Sequence, residues 1–503
     1  MTSIFKTDML VCTLGRRFRL CPFPENSRII PPWEETMSST RPQLTDEQAL
    51  RYHYLEVMKY TGRAGAERVD PWDPKADTFM AGKSAVKPDF RVGEGGFASI
   101  QLAVNEAVKK AKAGAISGRA YIAIEPGTYE ELVYVPKLIV DGKPVAITLY
   151  GLSDDATATA IKIAIDQGMT GAEYGRRFTP VFDGLEPEIA DIFRANAALP
   201  RLSTENASVL RVENDGFQAK NLTIHNAYNA DRADVNSHCE DGKGGPKNAN
   251  GQFAIGWHQA VAALIHNADR VHFENVGFRS FQDTLYFKSR VPGHTVRSFY
   301  SHCMVEGDID FIFGRSTAFF DACEIRSLGS RVGHTYVVAP STNIATRYGI
   351  VFNDCDFTHD GSAAALKGTF ALGRQWFQTV RATPYGTPNI EGYRTRLAET
   401  SELDHPPLGT ISLDVLEAVG KCVVMNSRIG AHIDAKAPWD DWSGGSRNAD
   451  GEFIPGLWNS KYRPVQYTSG DFHRYLKDWL QAEGLSYAEA DPAEPWLAEY
   501  NNS

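Results

Sequence analysis

The chain has 503 residues, 43% of them hydrophobic and 11% aromatic, which is enough apolar material for a large buried core. A formal net charge of -10 argues against a general binder of nucleic acid or anionic membrane, because such partners select basic surfaces. An acidic polymer as substrate would need cations placed locally, and no stretch approaches the roughly 20 consecutive apolar residues of a membrane span.

The apolar run from Met9 to Leu14 is short and flanked by Asp8 and Arg16, a poor export signal, and Cys12 lacks the apolar run that precedes a lipoprotein cysteine. Residues 1–40 read as a flexible extension. A helix is predicted from Thr45 to Tyr60, opened by Thr45 with Gln48 as a capping box. From Phe90 the texture changes. An amphipathic helix from Ser99 to about Ala111 precedes short β-rich runs, Tyr121 to Ile124 and Ala146 to Tyr150, separated by Gly and Pro. This reads as a capped all-β solenoid: an extension with one helix over 1–85, a β-helix domain over 86–480 and a C-terminal tail over 481–503.

A six-residue repeat follows, apolar at both ends: Phe273 to Phe278, Tyr300 to Val305, Phe320 to Ile325, Phe352 to Phe357 and Val424 to Ile429. A fixed short motif at irregular spacing suits a parallel β-helix, where each coil adds one strand to a ladder and loops of variable length project outward. Its fourth position runs Val276, Cys303, Cys323, Cys355, Ser427. Stacked strands about 4.8 Å apart lie within disulfide reach, which leaves three readings open: a Cys303–Cys323 bridge, a Cys323–Cys355 bridge, or buried thiols filling an inward ladder. The seven cysteines form no CxxC zinc pattern, and no structural metal is expected.

Asp283 follows Phe273 by ten residues, and Asp310 follows Tyr300 by ten. The register therefore places both aspartates at equivalent points of successive coils. Two carboxylates that close do not both ionise cheaply, so one pKa is pushed up and the other held down, the separation that acid-plus-nucleophile chemistry uses. Taken singly, each is more often a turn residue; the shared offset and the apolar flanks set this pair apart.

The motifs Gly127 to Glu130, Gln259 to Ala262, Gln282 to Leu285, Asp310 to Gly314 and Leu372 to Trp376 follow one another along the chain. In these motifs and their order the chain, from about Phe90 to about Trp458, resembles the pectin methylesterases of carbohydrate esterase family 8. The resemblance implies a right-handed parallel β-helix that hydrolyses methyl esters of galacturonate units in pectin or oligogalacturonides and releases methanol without a cofactor. Asp310 would be the nucleophile and Asp283 the acid and then the base. Gln259 and Gln282 would donate to the oxyanion, and Arg374 would pair with Asp310.

By the same resemblance Trp376 would stack on a sugar ring, with Phe313, Tyr286, Thr379, Ile309 and Thr223 in the cleft, although Phe313 and Tyr286 equally suit core packing. Trp439 and Trp442 resemble the family's C-terminal aromatic segment, and Arg331 would contact a substrate carboxylate. The cysteine spacing across the nucleophile matches Cys303 and Cys323, which implies their disulfide and an oxidising extracellular or periplasmic compartment. The insertion from Asn226 to Trp257 resembles bacterial members and reads as a groove-side loop. Its His238, Cys239 and Glu240 read as a chance cluster, and His258 as structural.

Gln375 stands where the family usually has Pro, and Ala263 where it usually has Leu. Both leave the catalytic groups in place and bear on substrate fit. The expected partner is methyl-esterified pectin acted on by a monomer. The competing readings are an acyl thioester hydrolase on this scaffold and a non-catalytic β-helical carbohydrate-binding protein.

Overall fold

The repeat is the organising unit of the molecule. The computed structural model describes residues 40–228, 259–378, 380, 382–385, 394–399, 407, 409–442, 462–487 and 495–503, with the backbone alone of 446–447 and 453–454. Its first positions pair in one parallel ladder, Phe273 with Tyr300, then Phe320, Phe352 and Val424. Its last positions form a second ladder, Phe278 with Val305, then Ile325, Phe357 and Ile429. The ring centroids of Tyr300 and Phe320 lie 4.4 Å apart and those of Phe320 and Phe352 4.8 Å apart, so the ladder spacing itself stacks the aromatics.

Between the ladders the chain bends at the third position. Asn275, His302, Ala322, Asp354 and Asn426 all adopt positive φ, between 50° and 54°, a left-handed conformation that Asn and Asp tolerate best. Asn221 does the same at 56°. It belongs to a further repeat, Ala219 to Ile224, which pairs with Phe273 to Phe278 and is not among those read from the sequence.

These ladders belong to a 16-stranded sheet, and an 8-stranded sheet faces another side of the coils. In the latter, Val133–Val135, Ser208–Val212, Val261–His266, Leu285–Lys288, Ile312–Gly314, Tyr336–Pro340, Ala371–Arg374 and Trp439–Asp440 pair in chain order, all parallel. This is the expected parallel β-helix.

The predicted N-terminal cap is the helix Ile100–Lys112, where Ser99 Oγ accepts from Leu102 N and the Glu131 carboxylate accepts from Ile100 N and Gln101 N. Val104, Ala107, Val108 and Ala111 are buried over the first coils. The helix expected over Thr45 to Tyr60 is instead two short ones, Asp46–Leu50 and Tyr54–Val57. The Thr45–Gln48 capping box forms, but extended His53 caps the second helix and so interrupts the first.

The extension does not stand apart over its described part. Tyr60–Arg63 pairs with His294–Thr295, and the fully buried Arg297 reaches Met58 O and Asp70 O, both at 2.6 Å, besides the Asp269 carboxylate. The C-terminal tail is also a correction. Leu497–Tyr500 adds a strand to Cys422–Met425, and Ser469–Ala482 is a helix that buries Phe472, Leu476 and Leu480. Leu497 and Ala498 are buried and extend an existing ladder.

The Cys303–Cys323 disulfide is corrected too. Cys303, Cys323 and Cys355 are free, buried thiols. Each Sγ turns to the carbonyl two residues back, 3.3 to 3.4 Å from Ser301 O, Asp321 O and Asn353 O, so the fourth position is an inward ladder of small fillers.

Candidate active site

Leu285 pairs with Ile312, so the residues two places earlier, Asp283 and Asp310, occupy the same point of adjacent coils. Asp283 N donates to Ile309 O at 3.0 Å and locks that register. Both aspartates take positive φ, 63° and 50°, which turns the chain into the strands of the 8-stranded sheet. Non-glycine residues accept such φ only where the surroundings over-determine it.

Arg374, the last residue of Ala371–Arg374, grips Asp310 with a fork: Nε to Oδ1 at 2.9 Å and Nη2 to Oδ2 at 2.8 Å. The guanidinium carbon lies 3.9 Å from the Tyr336 ring centroid, so the ring face fixes the fork from below. Burial lowers the affinity of Arg374 for its proton, but the charge and hydrogen bonds of Asp310 prevail and leave its pKa raised.

Asp283 is 7% exposed. Burial first, and then the negative charge of Asp310, push its carboxyl well above the ordinary carboxylate range, with Arg374 opposing and Asp308 adding to the rise. The arrangement thus makes two like groups unequal: Asp310 is clamped by a cation, and its buried neighbour holds its proton more tightly.

Gln282 precedes Asp283, and Gln259 sits on the coil before, joined by the bond from Ala260 N to Gln282 O. The carboxamide oxygens of both are buried without a hydrogen-bond partner. A buried amide left uncommitted is costly. Rotation about the terminal side-chain bond lets each present either oxygen or N–H to an incoming group.

Tyr286 and Phe313 stack with centroids 4.2 Å apart, and Trp376 stands edge-on to both at 6.4 and 5.6 Å. The two stacked rings are buried, whereas Trp376 is half-buried and forms the accessible face of the trio. Ile309 is half-buried between the aspartate turns.

Other predicted site residues lie elsewhere. Thr223 is buried in the 16-stranded sheet, its Oγ1 donating to Ala156 O at 2.9 Å. Trp439 is buried in the main core and Trp442 packs on Phe377. Arg331 turns inward: its Nε donates to Asp308 Oδ2 at 2.7 Å and its guanidinium covers the Phe281 ring. A substrate carboxylate would have to displace this buried partner. Thr379, His238, Cys239, Glu240, His258 and all but the first three residues of the insertion lie outside the described residues.

The sequence reading missed the Asp308–Arg331 pair, which ties the segment carrying Asp310 to the next loop. It also missed Tyr336 beneath Arg374, and His334, whose Nε2 sits 3.0 Å from Asp440 Oδ2. Asp308 stands two residues before Asp310, a spacing that in a strand puts both side chains on one face, so alternation gives no signal that separates their roles; the positive φ of Asp310 turns it away.

A family model described as Pectinesterase matches residues 247–384. The chain is 31% identical over 376 residues to Pectinesterase B of Dickeya dadantii (strain 3937), covering 72% of this chain and 79% of that protein. It is 26% identical over 358 residues to the putative acyl-CoA thioester hydrolase YbhC of Escherichia coli (strain K12), covering 66% and 72%. Among solved structures, rice weevil pectin methyl esterase superposes with a TM-score of 0.61 at 23% identity, covering 93% of this chain and 97% of that one.

Proposed function

The chain belongs to the pectinesterase family, and from that membership we propose that it hydrolyses methyl esters of galacturonate units in pectin, with Asp310 as nucleophile and Asp283 as acid. The observation that carries the assignment of roles is the Arg374 fork on Asp310 beside a buried Asp283 one coil away.

An oxygen of Asp310 attacks the ester carbonyl carbon. The resulting oxyanion is received by the carboxamide N–H groups of Gln259 and Gln282, whose carboxamide oxygens are buried without an internal partner. Collapse expels methoxide, Asp283 supplies its proton, and methanol leaves behind an acyl-enzyme on Asp310. Asp283, now ionised, takes a proton from water, and the hydroxide attacks the anhydride carbonyl. The galacturonate carboxylate departs and Asp310 is regenerated, with Arg374 holding its orientation through both attacks. Trp376 offers the stacking face for a sugar ring, over the buried Tyr286 and Phe313.

Methanol release from methylated pectin and from short methylated oligogalacturonides tests the reading. Asp310→Asn should abolish release while the protein stays folded. Thiol release from acyl thioesters without methanol release from either substrate would replace the proposal by the thioesterase reading.

A further inference from the structure

A cavity of about 880 Å³ lies between residues 61–77 and the outer face of the 16-stranded sheet. No lining residue comes from a strand of the 8-stranded sheet or from the turns that carry Asp283 and Asp310. It is therefore a separate site from the catalytic one.

Its five aspartates are all engaged, Asp73 Oδ1 accepting from Tyr54 Oη and Lys75 N. Asp215 pairs with Lys137, Asp70 and Asp269 share Arg297, and Asp77 accepts from Gln218 Nε2. Of its cations, Lys137 pairs with Asp215 and Arg270 with Asp70, which leaves Arg119 and Arg68. Arg119 donates to Thr148 Oγ1 at 2.8 Å, and among the described residues neither Arg119 nor Arg68 has a carboxylate within ion-pair distance. Burial pulls the Arg119 guanidinium below its ordinary pKa, with Tyr121 and Asp77 opposing the fall.

Two ring nitrogens also await partners. His272, 3% exposed, has a buried Nε2 with no hydrogen bond, the nearest carboxylate oxygen of Glu274 being 3.8 Å away. Nδ1 of His294 is likewise buried and unpartnered. The half-buried ring of Trp72 supplies an apolar wall.

We propose that this cavity is a second saccharide site that takes a short acidic oligosaccharide, an unesterified uronate chain, distinct from the catalytic groove. The choice of ligand rests on the proposed esterase reading, whose product is such a chain. Sugar carboxylates meet Arg119 and Arg68, hydroxyls meet the imidazoles of His272 and His294, and a ring lies against Trp72. A lone phosphate would leave most of the volume empty, whereas a cavity of this size suits a ligand of several rings.

Calorimetric titration of the full chain with unesterified trigalacturonate tests this. The wild type should show two separable binding events. Trp376→Ala should weaken the groove event, and Arg119→Gln and Arg68→Glu should each weaken the other at least about tenfold. Arg68 is exposed, so its variant folds even if Arg119→Gln does not. Cleavage of short methylated oligomers, which occupy the groove alone, should be unchanged. A single event in the wild type, or two events undiminished in both cavity variants, overturns the proposal. So does inorganic phosphate binding there as tightly as trigalacturonate. Absence of methanol release with the cavity event intact would remove the esterase reading and leave the second site standing.

Discussion

A carboxyl buried beside another carboxylate costs stability wherever the unfolded chain could ionise it. The folded pKa of Asp283 lies above its unfolded value near 3.8. Below that value both states hold the proton and nothing is lost. As pH rises past about 4 the unfolded state sheds its proton first and the native state is penalised. Asp283→Asn should therefore melt higher than wild type at pH 7, with the gain vanishing near pH 3, while methanol release falls roughly 10³-fold or more. A melting gain that persists unchanged at pH 3 would show that protonation is not its source. The same shift fixes the sign of the pH profile. The acid form of Asp283 is lost at high pH, so kcat/KM should decline on the alkaline side as the raised pKa is passed. Arg374→Lys keeps a positive charge but loses the planar fork that holds both oxygens of Asp310. Misplacing the nucleophile by even an ångström should lower kcat/KM about 100-fold, with KM on short oligomers little changed; an undiminished kcat/KM would mean the fork does not orient Asp310.

At the level of the ladders, the stacked rings and thiols make separate predictions. Phe320 is fully buried and stacks on rings in both neighbouring coils, so Phe320→Ala should cost about 3–5 kcal/mol, read from urea midpoints at constant m. Alkylation in denaturant without reductant should label Cys303, Cys323 and Cys355, followed by peptide mass analysis. A crosslinked Cys303–Cys323 peptide would refute the free-thiol ladder. The ladder was legible in the sequence because the repeat fixes both ends of each strand, and the offset of ten residues carried that register across to the aspartates. What was not legible depends on which way a side chain points within a loop. Arg331 was read outward and turns inward because Asp308, two residues before the nucleophile, is buried and claims it. Trp439 was read as groove-lining, yet alternation along Trp439–Asp440 puts the indole in the core and leaves Asp440 near Arg374. The disulfide failed differently: spacing places two cysteines on adjacent coils but does not aim one sulfur at the other.

A β-helix is stable only if both ends of its ladders are closed, because an open end offers unpaired N–H and C=O groups along a flat apolar edge. The helix Ile100–Lys112 closes one end. The other is closed by Leu497–Tyr500, which covers Cys422–Met425, and Arg41 clasps the Glu499 carboxylate through Nε at 2.8 Å. The two ends of the described chain thus meet on the last rung. Truncation after Trp496 should remove that cover while touching none of the groups around Asp283 and Asp310. Leu497 and Ala498 are buried, and the strand they cover would become a free edge of Cys, Val, Val and Met. The truncated protein should melt several degrees lower and aggregate on warming, seen by light scattering, yet its soluble fraction at 25 °C should release methanol at the wild-type kcat. Loss of kcat in the soluble monomer would mean that the closing strand supports the site as well as the edge. Wild-type melting without aggregation would mean that the helix Ser469–Ala482 alone suffices to seal that end.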